Sequence, residues 1–239
     1  MATETPKMID RSALPPAGTW TFDKNHTRLE FVARHMLSKV RGRFTEFDGT
    51  VTIAERPEES RVEVEMQTAS ITTDTGMRDD HLRSDDFLEV DEYPTMTFRS
   101  TELRPTGENT FRLVGDLTIK GITRQVVLDA EFNGWGPGAS PDNPPLAAFS
   151  AKTEIDREDW DMTWNVAVET GGLLVSKKLQ IDGTSLLASA AEQLGADDTV
   201  DALLGRRVGG GFEPIGTPAP PSSVAGVASQ RTSRPGGAS

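Results

Sequence analysis

Apolar and polar residues alternate with a period of two along most of the chain between residues 18 and 183. In the segment RVEVEMQT, Val62, Val64 and Met66 fall on one face, and charged or amide side chains fall on the other. The segments FRLVGDLTIK and QVVLDAEF repeat this alternation. Such a pattern is typical of β-strands that bury one face. About eight such strands, separated by turn signals such as EFDG and RPTGEN, predict an all-β antiparallel barrel or sandwich.

One connection between predicted strands is much longer than a hairpin requires. The residues TGMRDDHLRSDDFLEVDEYP occupy positions 75–94, whereas hairpin loops usually contain about two to five residues. Asp74 or Thr75 can cap a short helix that contains His81 and Leu82. We therefore predict a short helical connection here rather than an interrupted strand.

The two ends of the chain differ from the β-rich body at residues 18–183. Residues 1–17 are polar and contain prolines, which predicts a flexible arm. Residues 184–206 begin with TSLLASAAEQL, whose apolar positions have near-helical spacing, so we predict a helical extension after the barrel. Residues 207–239 are dominated by Gly, Pro, Ser and Ala, a composition typical of a disordered tail.

Composition narrows the class of partner. The chain has 37 acidic and 25 basic residues, a net charge of −12. A surface this acidic would repel phosphate backbones and anionic membrane faces, which argues against nucleic acid as a partner. No segment has the roughly 18 consecutive apolar residues of a membrane-spanning helix. The N-terminus lacks the apolar run of a signal peptide, so we expect a cytoplasmic protein unless a misplaced start hides a leader.

Groups for catalysis or metal binding are sparse. The absence of cysteine excludes disulfides, thiol catalysis and a cysteine-based zinc site. The histidines are His26, His35 and His81, and no two of them have the i, i+4 spacing of a helical zinc site. They could converge on a metal from separate segments, but we favour structural roles for them and expect no metal and no cofactor.

The acidic runs give no stronger signal for an enzyme. General acid–base chemistry needs two carboxylates in different environments within a pocket. We interpret Asp79-Asp80 and Asp85-Asp86 as solvated caps and charges on the helical connection. The sequence contains no GxSxG, HExxH or Gly-rich phosphate loop. A protein without enzymatic activity is the expectation.

Several short motifs follow one another in an order that is more specific than any one of them. They are Asp23-Lys24-Asn25-His26-Thr27, Val40-Arg41-Gly42-Arg43-Phe44, Phe47-Asp48-Gly49, Arg78-Asp79-Asp80-His81-Leu82, Tyr93-Pro94 and Gly115-Asp116-Leu117-Thr118-Ile119-Lys120-Gly121. With these motifs, residues 18–182 resemble the YceI-like, polyisoprenoid-binding family. The resemblance implies an elongated, lipocalin-like barrel of eight antiparallel strands. Its apolar interior would bind a polyisoprenoid or another long-chain amphiphile without turnover.

The resemblance also gives the long connection a role. It implies that the helical segment covers one end of the barrel as a lid, with Leu82, Phe87 and Leu88 facing inward. Two features depart from the family. Many members have Gly after the aromatic residue of a late Asn-Arg-x-x-Phe-Gly segment, where this chain has Asp161. Many members also carry a secretory leader or a membrane-domain partner, and neither is evident in this sequence.

Candidate ligand contacts follow from the barrel and from the resemblance. The residues expected to line the tunnel are Phe31, Phe44, Leu82, Phe87, Phe98, Leu117, Ile119, Phe149, Trp160 and Trp164. Basic residues at the mouth would select a head group such as a diphosphate or quinone, and the candidates are Arg34, Arg78, His81 and Arg124. The alternative is that the arginines only pair with the surplus acids, and that the aromatic residues only form a core.

The leading functional hypothesis is non-enzymatic binding, storage or transport of a long-chain isoprenoid-type lipid, polyprenyl or quinone-like. A second hypothesis is an interaction or stress protein whose barrel is filled by its own side chains and whose tail is the contact segment. A third is a lipid-modifying enzyme. Family barrels often form dimers, so a homodimer is one expected state, and no stable membrane insertion is expected.

Overall fold

The computed structural model describes residues 14–36, 38–136, 143–167 and 174–189, which form one antiparallel β-sheet that curls on itself. Its helices are α1 (Gly76–Arg83) and three short 3-10 helices (Pro57–Glu59, Thr68–Ser70 and Arg157–Trp160). The strands are β1 (Gly18–Phe22), β2 (Arg28–His35), β3 (Ser38–Phe44), β4 (Phe47–Ile53), β5 (Arg61–Gln67), β6 (Ile71–Thr72), β7 (Thr95–Pro105), β8 (Thr110–Ile119), β9 (Ile122–Gly136), β10 (Leu146–Asp156) and β11 (Val175–Ser189).

Strand β11 joins the two ends of the sheet. One of its edges pairs with the whole of β10, and the other pairs first with β2 and then, further along, with β1. Because β1 also pairs with β4, the order β1-β4-β5-β7-β8-β9-β10-β11 returns to β1. The sheet is thus a closed ring, and the predicted antiparallel barrel is confirmed.

The described residues contain eleven strands where the pattern predicts about eight. The difference comes from three bent strands. β1 and β2 are consecutive, and they pair with β4 and β3, which are also consecutive. β5 and β6 in turn pair with β4 and β3. Each consecutive pair is one strand interrupted by a bend, so the eleven segments occupy eight positions around the barrel.

The long connection fills a split in the sheet. After Gln67 the chain diverges from β7 and follows β3 as β6, which leaves a gap between β6 and β7 at one end of the barrel. Helix α1 and the residues after it occupy this gap. Arg83 of α1 donates through Nε to the carbonyl oxygen of Ala69 at 2.8 Å and through Nη2 to that of Ile71 at 2.7 Å. The connection is therefore a helical segment that completes the wall where strand pairing ends.

Asp79 anchors α1 to β6 and to the residue that follows it. Its carboxylate accepts hydrogen bonds from the Thr72 hydroxyl at 2.8 Å, the Thr73 backbone N–H at 2.7 Å and the Thr73 hydroxyl at 2.5 Å. The side chain is buried, so its interpretation as a solvated cap is wrong. Burial alone would raise the pKa of Asp79, but these hydrogen bonds favour the charged form and hold the pKa below its ordinary value.

The helix predicted after the barrel is wrong for residues 184–189. β11 continues to Ser189, and Leu187 pairs with Phe22 on one side and with Ala147 on the other. Leu187 is fully buried, in a cluster with Trp20. Hydrogen bonding to the edge of β1 and burial of Leu187 in this cluster favour a strand more strongly than the local pattern of TSLLAS favours a helix. The rest of the predicted helix and the predicted tail lie outside the described residues.

Part of the predicted flexible arm contacts the barrel. Of the predicted flexible arm, residues 14–17 are described, and Leu14 packs against the buried rings of Phe111 and Phe132. The indole Nε1 of Trp20 donates to the carbonyl oxygen of Pro16 at 3.3 Å. This part of the arm is held against the barrel. None of the described helices has the length and apolar character needed to cross a membrane.

We expect Asp79→Asn to lower the free energy of unfolding at neutral pH by about 2–3 kcal/mol, because the neutral amide cannot accept all three hydrogen bonds. Asp80→Asn is the matched control, since Asp80 is its exposed neighbour on α1, and it should cost less than about 1 kcal/mol. The pKa of Asp79 is lowered on folding, so its contribution is complete above the unfolded pKa of about 3.9 and disappears as the pH falls through the folded value. Denaturant titrations at neutral and acidic pH measure both effects. Equal costs at the two positions would contradict the anchoring role.

Asp161 ends the last 3-10 helix in a left-handed conformation, with φ of 58° and ψ of 17°. This conformation is unfavourable for residues with a Cβ and costs glycine little, which accounts for the family preference at this position. We expect Asp161→Gly to stabilise the protein by about 1 kcal/mol. The corresponding rise in Tm is about 2–4 °C for a domain of this size, measurable by calorimetry. Asp161→Val should lower Tm, and a fall in Tm for the glycine variant would refute the assignment.

Candidate functional site

The inward face of the barrel encloses a cavity of about 250 Å³. Period-two alternation places one apolar side chain in every two residues on this face. On β8, the lining residues Phe111, Leu113, Leu117 and Ile119 extend over about 27 Å of strand at about 3.4 Å per residue. Residues from all the other strands except β6 complete a wall that is mostly apolar. The cavity therefore follows the length of the barrel rather than forming a local cleft.

Two glycines keep aromatic rings out of the centre of this cavity. Gly42 lies directly opposite Phe31 on the neighbouring strand, and a Cβ at Gly42 would lie 2.3 Å from the Cζ atom of Phe31. A Cβ at Gly115 would lie 2.5 Å from the Cζ atom of Phe98. Each ring thus occupies space that a side chain would otherwise fill. The rings pack into the wall, and the lumen stays open between them.

Small residues widen one side of the cavity. Ala130 of β9, Ala151 of β10 and Gly183 of β11 are direct neighbours across the three strands, and all three line the cavity. Two hydroxyl side chains, Thr153 and Ser185, also line this side. The wall formed by β9, β10 and β11 therefore combines extra space with the possibility of neutral hydrogen bonds.

The two ends of the cavity are built differently. At the end where β4 finishes and β5 starts, the lining includes Leu14 and Pro15 of the arm and Pro57 of a 3-10 helix. We call this the arm end. At the opposite end, the indole of Trp160 is fully buried, and its Nε1 donates to the carbonyl oxygen of Leu117 at 3.3 Å. Trp160 packs beyond the cavity lining at this end, which we call the lid end because α1 covers it.

A buried arginine stabilises the lid end. Arg157 is 1% exposed, and it donates through Nε to the carbonyl oxygen of Ser176 at 3.1 Å and through Nη1 to that of Met162. Its guanidinium lies 5.8 Å from the ring centroid of Phe87, within the range of a cation–π contact. Burial lowers the pKa of Arg157, because the charged form loses hydration. Its role here is to fasten the segment after β10 to the start of β11 and to the lid.

His81 belongs to the same end. Its Nε2 lies 2.8 Å from a carboxylate oxygen of Asp86. Its ring makes edge-on contacts with Phe87 and Trp164, at centroid distances of 5.0 and 4.5 Å. His26 similarly lies 2.8 Å from Asp23. Within the described residues, no group of three or more potential metal ligands comes together.

The structure separates the predicted ligand contacts into two groups. Six of them line the cavity: Phe31, Phe44, Phe98, Leu117, Ile119 and Phe149. The other four lie outside its wall, in the lid or in the segment after β10: Leu82, Phe87, Trp160 and Trp164. A role of either group in ligand binding stays a prediction, but only the first group has direct access to the lumen.

None of the four predicted head-group residues lines the cavity. Arg34 is exposed on β2, and Arg124 is exposed near the start of β9. Arg78 donates to the hydroxyl groups of Thr73 and Thr75 at 2.7 and 2.9 Å, which holds it against the outside of the lid. His81 contacts Asp86 and the aromatic rings described above. The polar residues that line the cavity are Glu30, Ser60, Ser150, Thr153, Asp182 and Ser185, and none of them was predicted, because the candidates were basic or apolar.

The comparisons with known proteins agree with this architecture. A family model for the YceI-like domain matches residues 20–184. The chain belongs to the YceI-like family. A UPF0312 protein of Ectopseudomonas mendocina is 39% identical over 166 residues, which cover 67% of this chain and 86% of that protein.

Solved structures share the YceI-like fold. BcnA of Burkholderia cenocepacia matches with a TM-score of 0.59 at 22% identity, covering 70% of this chain and 99% of that one. A polyisoprenoid binding domain from Saccharophagus degradans, implicated in plant cell wall breakdown, matches with a TM-score of 0.52 at 14% identity, covering 73% and 99%. At these identities, the two likenesses establish the fold alone.

We expect Ala130→Phe to fill the wide side of the cavity and to weaken binding of an apolar fluorescent dye such as Nile red by about tenfold or more, since overpacking costs about 1–3 kcal/mol. Val127→Phe is the matched control, because Val127 lies on the same strand, faces outward and is 44% exposed. It should leave dye binding unchanged. A similar loss in both variants would mean that the dye binds elsewhere or that the strand itself is disturbed.

Proposed function

We propose that this protein binds one long-chain isoprenoid-type lipid in the barrel, without chemical turnover, and carries or stores it. The observation that supports this most directly is the long apolar cavity between the arm end and Trp160. A cavity of this length suits an extended chain better than a compact metabolite. It also argues against a barrel filled by its own side chains.

The energetics of an apolar chain agree with this proposal. Each buried methylene contributes about 0.8 kcal/mol, and a nanomolar complex requires about 12 kcal/mol. A chain of several isoprene units therefore has a large gross surplus, which offsets the loss of translational and conformational freedom on binding. Affinity then depends on the fit of the chain and not on any one polar contact.

The family supports a binding protein rather than an enzyme. The fold neighbour from Saccharophagus degradans is itself a polyisoprenoid binding domain. The polar lining residues are the hydroxyl-bearing Ser60, Ser150, Thr153 and Ser185 and the acidic Glu30 and Asp182, with none of the four basic candidates. This favours a lipid with an uncharged oxygen-bearing head, such as a quinone or a prenyl alcohol, over a buried diphosphate.

Native mass spectrometry of protein purified from its own source, followed by organic extraction, tests the proposal. We expect a stoichiometric adduct whose extract shows the mass spacing of isoprene units. Delipidated protein should also bind long-chain prenyl alcohols or quinones in titrations. If it takes up no prenyl lipid, quinone or fatty acid, the proposal fails.

A pair of adjacent substitutions locates the bound chain. Leu128 lines the cavity and Val127 faces outward on the same strand. Leu128→Asp should abolish prenyl lipid uptake, because a carboxylate in the apolar wall must either stay hydrated or be buried at high cost. Val127→Asp should retain uptake, and circular dichroism checks the fold of both. Retained uptake in Leu128→Asp would exclude the cavity as the binding site.

A further inference from the structure

The charge of the protein is unevenly distributed. The hairpin formed by β2 and β3 spans residues 28–44 and holds five basic residues and a single acidic one, Glu30, in a chain with a net charge of −12. Two of the five are at least partly neutralised: Arg43 pairs with Asp74 at 2.9 Å, and Arg41 lies 3.8 Å from Glu30. The hairpin is nevertheless a basic element on an acidic protein.

Two of these basic residues form an unfavourable pair. Arg34 and Lys39 lie directly opposite each other across β2 and β3, and both side chains are exposed. Like charges in this position destabilise a sheet. Neither side chain has an ion-pair partner among the described residues. The arrangement concentrates positive charge at the outer end of the hairpin and gains no internal stability from it.

The turn of the hairpin also departs from local preference. The pairing of His35 with Ser38 places Met36 in a tight turn between the two strands. Two-residue turns favour Asn and Gly, because their central residues adopt positive φ angles. Met36 has a φ of 52° and is 53% exposed. A large apolar residue is thus held in an unfavourable backbone conformation and presented to solvent, which points to a function.

A second exposed apolar residue lies beside this turn. The backbone N–H of Met36 donates to the carbonyl oxygen of Leu174, and that of Leu174 donates to the carbonyl oxygen of Val166, both at 2.9 Å. Val166 is 47% exposed. Met36 and Val166 are thus two exposed apolar residues linked through the backbone of Leu174, and Arg34 and Lys39 lie on the two strands next to Met36. We call these four residues the hairpin tip.

We propose that the hairpin tip docks the protein on an anionic lipid membrane surface. The two apolar side chains would enter the interface, and Arg34 and Lys39 would contact the acidic head groups behind them. Juxtamembrane basic residues gain attraction from anionic lipids, and exposed apolar side chains gain from burial at the acyl boundary. The inference concerns the outside of the barrel and does not depend on which molecule the cavity holds.

A membrane surface fits the hairpin tip better than an acidic protein does. An acidic partner would account for Arg34 and Lys39 but not for Met36 in a strained turn between them. The membrane provides both a negative potential and an apolar layer within a few ångströms of it. The acidic residues of the connection at positions 75–94 lie at the same end of the barrel, so the attraction would come from the hairpin alone and would be weak at high salt.

Co-sedimentation of the full chain with vesicles tests the proposal. We expect binding to phosphatidylcholine vesicles that contain a quarter of phosphatidylglycerol, and none to phosphatidylcholine alone. Binding should weaken as salt rises, because the Debye length falls to about 3 Å at 1 M. The double variant Arg34→Gln/Lys39→Gln should bind about 30-fold more weakly. The double variant Arg104→Gln/Arg112→Gln removes the same charge from exposed positions on β7 and β8 and should change binding little.

A second variant separates docking from folding. Met36→Asn places at this positive φ a residue that tolerates it better, so Tm should rise. Binding to the phosphatidylglycerol vesicles should nevertheless fall. Equal vesicle binding by the wild type and both hairpin variants would overturn the proposal. So would the absence of vesicle binding together with a dimer that these variants convert to a monomer, since the hairpin tip would then contact a second copy of the chain.

Discussion

The pairing of β11 with three partners is the interaction on which the rest of the barrel depends. One edge of this strand is committed to β10, and its other edge divides between β2 and β1. The continuous strand β11 thus pairs with both parts of the bent strand formed by β1 and β2. This pairing brings the start and the end of the sheet together. Closure leaves the sheet without unpaired strand edges. Its inward face is then shielded from water and can be apolar.

Period-two alternation predicted the strands and the antiparallel sheet, and the length and capping residues of the connection predicted its helix, because each depends on residues close in sequence. It could not predict where β11 ends. Leu187 is drawn into the sheet by Phe22 and Ala147, which are remote in sequence. Asp79 was predicted to be solvated because the acidic run does not show that this carboxylate turns back onto Thr72 and Thr73, seven and six residues earlier. Local propensity is reliable here except where a distant strand supplies the deciding contact.

The candidate site shows a similar division. Aromatic residues on inward faces, such as Phe31 and Phe98, were predicted to line the cavity, and they do. The space between them depends on Gly42 and Gly115, whose effect appears only when the register places each glycine against a ring. The four basic residues were predicted to be head-group contacts because of their charge. All four lie outside the lining of the cavity.

The split between β6 and β7 makes the two ends of the barrel mechanically unequal. At the arm end the ring is held by continuous backbone ladders, so widening it would break a row of hydrogen bonds at once. At the lid end the wall is completed by side-chain contacts from α1, with Asp79 and Arg83 as the main fasteners. Opening there would break these contacts and expose the buried side chains of Phe87 and Leu88, but it would break no strand ladder. The two ends therefore resist opening differently: strand pairing dominates at the arm end, and the packing of α1 and of the residues after it dominates at the lid end.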